Sequence, residues 1–297
     1  MMSNQSSQDA RTLIERFLSV AHSTARRTLP MIREAHEAPT RESSAKSDGS
    51  LVTATDHAVE RLFLESFKEA FPSIPVVAEE SEAERALTFR GSPTEFYQGL
   101  LTSQYLIIMD PIDGTKNFVQ GKREFCTAAA LVESSDGGVW PIAGLVAIPI
   151  EDRMWLSDGH SVVEGSISTD QVRPFVPSVG GGAEVSVSSS DRRWLEQEGL
   201  ALKKPWVSSG SSVFDMTGTV RGDLKGSIIG AQRLWDLMAP LSLAVPLGLQ
   251  LRDLRSGDVV SRIRSSDLST ELEKRGWGLN RRFLLAPPSC SVRDIVR

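Results

Sequence analysis

Apolar residues recur along this chain with two different periods. Between residues 9 and 29, Leu13, Ile14, Phe17, Leu18, Ala21 and Ala25 fall on one stripe, which predicts an amphipathic helix with a break or kink at Pro30. Residues 39–50 (PTRESSAKSDGS) are polar and turn-rich and read as a loop. A second helix is expected to start after Thr55 or Asp56, where Val59, Leu62, Phe63 and Phe67 repeat at helical spacing, and to stop at Phe71-Pro72. The period then changes. Residues 74–78, 105–109, 126–132, 140–148 and 153–156 are short apolar or β-branched runs bounded by acidic and turn residues, and they predict strands. Residues 82–104 carry few signals and read as a surface excursion.

Gly180-Gly181-Gly182 is the best candidate boundary, dividing an N-terminal α+β half (9–180) from a C-terminal α/β half (181–297). The second half predicts strands at 184–188, 206–208, 225–229 and 283–286, and helices near 191–199 and 211–221. Residues 237–251 are the most apolar long segment. A bilayer crossing needs about 20 residues, and this stretch also holds Pro240, Pro246 and Gly248, so it reads as buried core. Alternating helices and strands point to a layered α/β or α+β fold.

Composition narrows the function classes. With 40% hydrophobic and 24% charged residues, the chain is ordinary globular protein, not a disordered or fibrous one. A net charge of −5 argues against a duplex nucleic-acid partner, but not against a phosphorylated substrate, because cations held by clustered carboxylates create an anion site. Cys126 and Cys290 are far apart and belong to no metal-type cluster, which suits a reducing compartment. The polar segment 1–11 resembles no signal peptide, so a cytoplasmic location without membrane association is expected.

Three acidic segments sit at strand ends or helix starts: Ala78-Glu79-Glu80-Ser81, Asp110-Pro111-Ile112-Asp113-Gly114-Thr115, and Trp235-Asp236. Ligands bind at such strand ends in layered α/β folds. In the middle segment Pro111 fixes φ and Gly114 permits a sharp bend, so Asp110 and Asp113 can meet on one side of a tight turn with the Ile112 carbonyl between them. Such oxygens suit Mg²⁺. The amides of Gly114 and Thr115 would open a short helical turn able to receive a phosphate. Read singly, each segment has a plainer meaning: the hexapeptide as a turn, Glu79-Glu80 as a solvated pair, Asp236 as a helix cap.

Together, LVTATD (51–56), AEES (78–81), DPIDGTKNF (110–118), SSGSS (208–212) and LWD (234–236) resemble the inositol monophosphatase family in content and order. The resemblance implies a layered α-β-α-β-α sandwich with the site between its halves. It also implies a Mg²⁺-dependent phosphomonoesterase using two or three ions, with Mn²⁺ as a substitute and Li⁺ and Ca²⁺ as inhibitors. Members are commonly homodimers that act on small phosphorylated metabolites. By this resemblance the metal ligands are Glu79, Asp110, the Ile112 carbonyl, Asp113 and Asp236, with Glu80 behind them. Glu79, Thr115 and Asp56 are the catalytic set, Thr115 and Asp56 orienting the attacking water. Asp113, Gly114, Thr115, Lys116, Ser212 and Arg233 are the substrate contacts.

Substrate identity is less determined. The family's inositol-binding Glu falls on Ile229, which cannot accept a hydroxyl hydrogen bond. DPIDGTKNFVQG and WDLMAP resemble histidinol-phosphate phosphatases, and REFCTAAALV (123–132) resembles the branch acting on 3′-phosphoadenosine 5′-phosphate. A catalytically idle metal-binding homologue is the alternative outside enzymes. The histidines His22, His36, His57 and His160 show no ligand spacing, and Arg26-Arg27, Arg192-Arg193 and Arg281-Arg282 read as solvated surface.

Overall fold

A computed structural model describes residues 2–46, 51–88, 92–178, 182–272 and 276–297. The candidate boundary at Gly180-Gly181 lies outside them. The chain opens with α1 (Met2–Glu37), the hairpin β1 (Ser44–Ala45) and β2 (Leu51–Val52), and α2 (Ala54–Ala70). Then come β3 (Val76–Ala78), α3 (Glu79–Thr88), α4 (Pro93–Leu101), β4 (Tyr105–Asp113) and α5 (Thr115–Val119). A meander follows: β5 (Cys126–Ser135), β6 (Gly138–Ile148), β7 (Arg153–Ser157), β8 (Val162–Gly165) and β9 (Val172–Pro174). The remainder is β10 (Val185–Val187), α6 (Ser189–Gln197), β11 (Trp206–Val207), α7 (Ser212–Arg221), β12 (Gly226–Ile229), α8 (Leu234–Ala244), β13 (Gln250–Asp253), β14 (Ile263–Arg264), β15 (Phe283–Ala286) and a short helix at Val292–Ile295.

The larger sheet has the order β3-β4-β5-β6-β7-β8-β9, with β14 added against β6, and the smaller has the order β11-β10-β12-β15-β13. Successive side chains of a strand point to opposite faces. Ile107 and Met109 of β4 therefore pack with Phe17, Ala21, Val59, Phe63 and Phe67 of α1 and α2. Leu106 and Ile108 pack on the other face with Val213, Met216, Leu237, Met238 and Leu241 of α7 and α8. Ile229, Leu251, Phe283 and Leu285 of the smaller sheet close that second core. Its far face, with Val185, Val187, Ile228 and Leu284, is covered by Leu195 of α6. The layers run α, β, α, β, α.

Three expectations are corrected here. Helix α1 continues through Pro30 instead of breaking. A mid-helix proline costs about 3 kcal/mol, but Leu29 and Ile32 on either side are buried, and each contributes about 1.5–3 kcal/mol. The described residues of the 82–104 stretch are not a surface excursion: α3 reaches Thr88 and α4 covers Pro93–Leu101. Phe96 and Tyr97 of α4 are buried against Trp277, with ring centroids 5.9 and 5.1 Å from it. Arg282, expected as solvated surface, lies 4.7 Å over the Trp194 ring and pairs with the buried Asp191 at 3.4 Å.

Candidate active site

Strand β4 runs on through the DPID segment to Asp113 instead of stopping at Asp110-Pro111. Asp110 pairs with Ala128 and Asp113 with Cys126, so three steps on β4 face two on β5, and the register shifts between them. This is a bulge. Without it, residues three apart would point to opposite faces; the extra residue puts both aspartates on the face that Ala128 and Cys126 share. Thr127 Oγ1 donates to the displaced Pro111 carbonyl at 2.8 Å. On that same face begins α8, whose first turn carries Asp236. Carboxylate oxygens of Asp110, Asp113 and Asp236 all lie within 4.8 Å of one another.

Asp113 and Asp236 are each held by one oxygen, which aims the other. Asp113 Oδ2 accepts from the Val213 amide at 2.9 Å and from Ser211 Oγ, tying β4 to the start of α7. Asp236 Oδ2 accepts from the Arg233 amide at 2.9 Å, so the residue both caps its helix and faces the cluster. Asp110 Oδ1 is buried with no hydrogen-bond partner. Thr115 Oγ1 lies 3.0 Å from Asp56 Oδ1 and 3.1 Å from the Ile112 carbonyl. Asp56 Oδ2 in turn accepts from the Thr53 amide at 2.9 Å and from its hydroxyl. Gly114 has φ +91°, and a Cβ there would come within 2.9 Å of Ser211 Cβ, so the position needs glycine.

Asp110, Ile112, Asp113, Gly114, Thr115 and Asp236 line one cleft of about 300 Å³ together with Glu79, Lys116, Gly210, Arg233 and Trp235. Of the residues singled out from the sequence, Ser212 does not line it. Ser211 caps α7 and bonds Asp113, while Ser212 faces a neighbouring cavity. Asp56 stands behind Thr115, and Glu80 behind Glu79. Ile229 is buried on β12, opposite Phe283. Two residues escaped the sequence reading. Lys46, before the hairpin loop, donates to Glu79 at 2.9 Å and to Glu80 at 2.7 Å. Glu60 of α2 is buried and accepts from the amides of Glu80 and Ser81 at 2.8 and 2.9 Å, capping α3. Its place one helical turn after Asp56, on the same face, was the available signal.

The electrostatics of the cleft are those of crowded anions. Burial, then Glu79, Asp113 and Asp236, push Asp110 well above the usual carboxylate range. Asp113 is raised by burial and Asp236. Asp236 is pushed up to about 6 by burial and Glu79, and Glu80 to about 8 by burial and Glu79 despite Lys46. An all-oxygen donor set with a buried unpartnered oxygen fits a hard divalent cation such as Mg²⁺. Raised carboxylates hold protons in the folded state that the unfolded chain releases above about pH 4. Their contribution to metal-free stability is therefore full below that value and is lost as pH rises through about 6 and then about 8. Between pH 7 and 8.5 the thermal midpoint in EDTA should fall, and saturating Mg²⁺ should abolish the fall. A flat profile in EDTA would show that the carboxylates are not crowded.

Residues 13–271 match the model of the inositol monophosphatase family. The chain belongs to the inositol monophosphatase family. Its relatives are phosphoric monoester hydrolases of differing substrate. It is 36% identical over 93 residues to a histidinol-phosphatase of Streptomyces coelicolor, a match spanning 31% of this chain and 35% of that one. It is 29% identical to the 3′(2′),5′-bisphosphate nucleotidase CysQ of Salmonella typhimurium over 71% of this chain and 80% of the other. The IMPase of Thermotoga maritima superposes with a TM-score of 0.64 at 17% identity, covering 91% of each chain. The inositol monophosphatase family is metal-dependent and acts on small phosphorylated metabolites. Among the described residues no helix is long and apolar enough to cross a membrane.

Proposed function

We propose that this chain is a Mg²⁺-dependent phosphomonoesterase that hydrolyses a small phosphate ester by direct attack of water. The observation that carries the reading is the bulge, which aims Asp110 and Asp113 at Asp236 and leaves Asp110 Oδ1 buried without a partner. Glu79, Asp110, the Ile112 carbonyl, Asp113 and Asp236 would hold the cations, which supply charge neutralisation at the phosphate and a water of lowered pKa. The chain's own groups do the rest. Lys116 and Arg233 bring positive charge to the same cleft. Thr115 Oγ1 has a single hydrogen; donated to Asp56 Oδ1, it leaves a lone pair to accept a proton from the attacking water. The short path from Thr115 to the buried Asp56 gives that proton a carboxylate terminus whose affinity burial has raised. In-line attack needs no protein nucleophile, and neither cysteine lines the cleft.

The test is hydrolysis of a generic ester such as 4-nitrophenyl phosphate. Activity should vanish in EDTA and return with Mg²⁺, and the restored Mg²⁺ requirement should be lost from no substrate in a panel of inositol 1-phosphate, histidinol phosphate and 3′-phosphoadenosine 5′-phosphate. With Ile229 offering only methyl groups at the expected polyol contact, inositol 1-phosphate should not be strongly preferred. Activity unaffected by EDTA, or no hydrolysis of any panel member with Mg²⁺, would overturn the proposal.

A further inference from the structure

Beside the cleft lies a second cavity of about 200 Å³, and Gly210 lines both. It opens where β11, β10 and β12 run parallel and adjacent, at their C-terminal ends: Ser208 follows β11, Ser188 follows β10, and Ile229 ends β12. Strand ends of this kind are where α/β sheets receive ligands. Most of the lining is hydroxyl-bearing, and part of it is already satisfied: Ser186 Oγ donates to Ser227 Oγ at 2.8 Å, and Ser227 Oγ pairs with Thr219 Oγ1 at 2.7 Å.

Among the described residues one charged group faces this cavity, Asp215 on the first turn of α7. Its partners are both on Ser209: the amide, a long 3.3 Å from each carboxylate oxygen, and the side chain. Among the described residues no basic side chain pairs with it. Burial pushes its carboxyl pKa upward, the mark of an anion short of compensation. The basic side chains Lys116 and Arg233 therefore stand on the cleft side of Gly210, with the metal-binding carboxylates, while the second cavity holds a carboxylate and no basic group among its lining residues.

Resting on the phosphatase reading above, we infer that this cavity is the leaving-group subsite and selects phosphate esters whose alcohol carries an amine. An ammonium entering it would find in Asp215 its only charged partner, a charge-assisted hydrogen bond worth about 10- to 100-fold in kcat/KM. A neutral polyol meets hydroxyls partly committed to one another. The second phosphate of a nucleoside bisphosphate would face a carboxylate there, with no cation lining that cavity.

The experiment compares 4-aminobutyl phosphate with pentyl phosphate, which replaces the ammonium by a methyl of similar size, and 2-aminoethyl with propyl phosphate as the shorter pair. At saturating Mg²⁺ the native chain should favour one or both amines by about 10- to 100-fold in kcat/KM, and Asp215→Asn should bring the ratio close to one. Asparagine still accepts from the Ser209 amide, and Asp215→Ala serves as the second variant; thermal midpoints check that each folds. Independently of turnover, 4-amino-1-butanol titrated into the metal-free protein should bind the native chain more tightly than Asp215→Asn. A native ratio at or below one for both pairs, or a preference that survives Asp215→Asn, would overturn the subsite while leaving the phosphatase reading intact. Hydrolysis of neither member of either pair would instead overturn the phosphatase reading, and this inference with it.

Discussion

Asp110→Asn should leave the fold intact, raise the thermal midpoint of the metal-free protein and reduce activity more than any other single change. The carboxylate sits where the bulge begins, buried, with Oδ1 unpartnered and three anions pressing on it. Replacing it with an amide of the same shape removes repulsion, so the apo protein gains stability; in chains of this size each kcal/mol moves the midpoint by roughly 2–4 °C. The same replacement removes the charge that faces a cation. Changing groups that merely hydrogen-bond to metal ligands costs about 10–100-fold in affinity or activity, and loss of a ligand should exceed that. The decisive readout is the Mg²⁺-induced rise in thermal midpoint, which for a bound ligand at 100 times its Kd corresponds to about 2.7 kcal/mol. It should be present in the native chain and absent in Asp110→Asn. A variant with activity within a few-fold of native, or with an undiminished Mg²⁺ shift, would show that Asp110 is not a ligand.

How the site came to be readable differs from residue to residue. The strands of the larger sheet announce themselves because both faces are covered, so YLIIM is apolar without alternation. Helix α8 is apolar all round for the same reason, lying between two sheets. The acidic motifs were legible as an ordered set, since their order along the chain is what the resemblance rests on. Geometry was not. Asp, Pro and Gly are turn formers, so DPIDG reads as a tight turn, whereas the structure keeps the backbone in the sheet and makes the turn at Gly114. The bulge depends on which β5 residue each aspartate faces, and no local spacing encodes that.

Contacts between distant segments were hidden for a related reason. Residues 82–104 look unremarkable until Trp277 arrives, its amide donating to Tyr97 Oη and its indole to the buried Glu82. In the SSGSS segment helix phase decides which serine does what: Ser211 caps α7 and bonds Asp113, while Ser212, one residue on, makes no contact with that carboxylate and lines the second cavity. Lys46 meets Glu79 and Glu80 only because the β1–β2 hairpin brings it there.

The Thr115 hydroxyl is where proton handling and structure can be separated experimentally. Thr115→Ala removes the donor to Asp56 and leaves Asp56 Oδ1 without that partner, at a cost of about 1–3 kcal/mol in stability. If its role were only structural, activity at a temperature well below the midpoint would change little. If Oγ1 receives the proton of the attacking water, kcat should fall by about 10²–10⁴-fold, the range for a positioned proton-transfer group, with KM nearly unchanged. Thr115→Ser keeps the oxygen and should recover most of kcat, while Thr115→Val keeps the shape and should not. The pH profile adds a readout that packing cannot imitate: because burial raises Asp56, the rate of the native chain should fall on the acid side as Asp56 protonates, and that limb should be lost in Thr115→Ala. A Thr115→Ala enzyme with native kcat and raised KM would assign the hydroxyl to substrate binding alone.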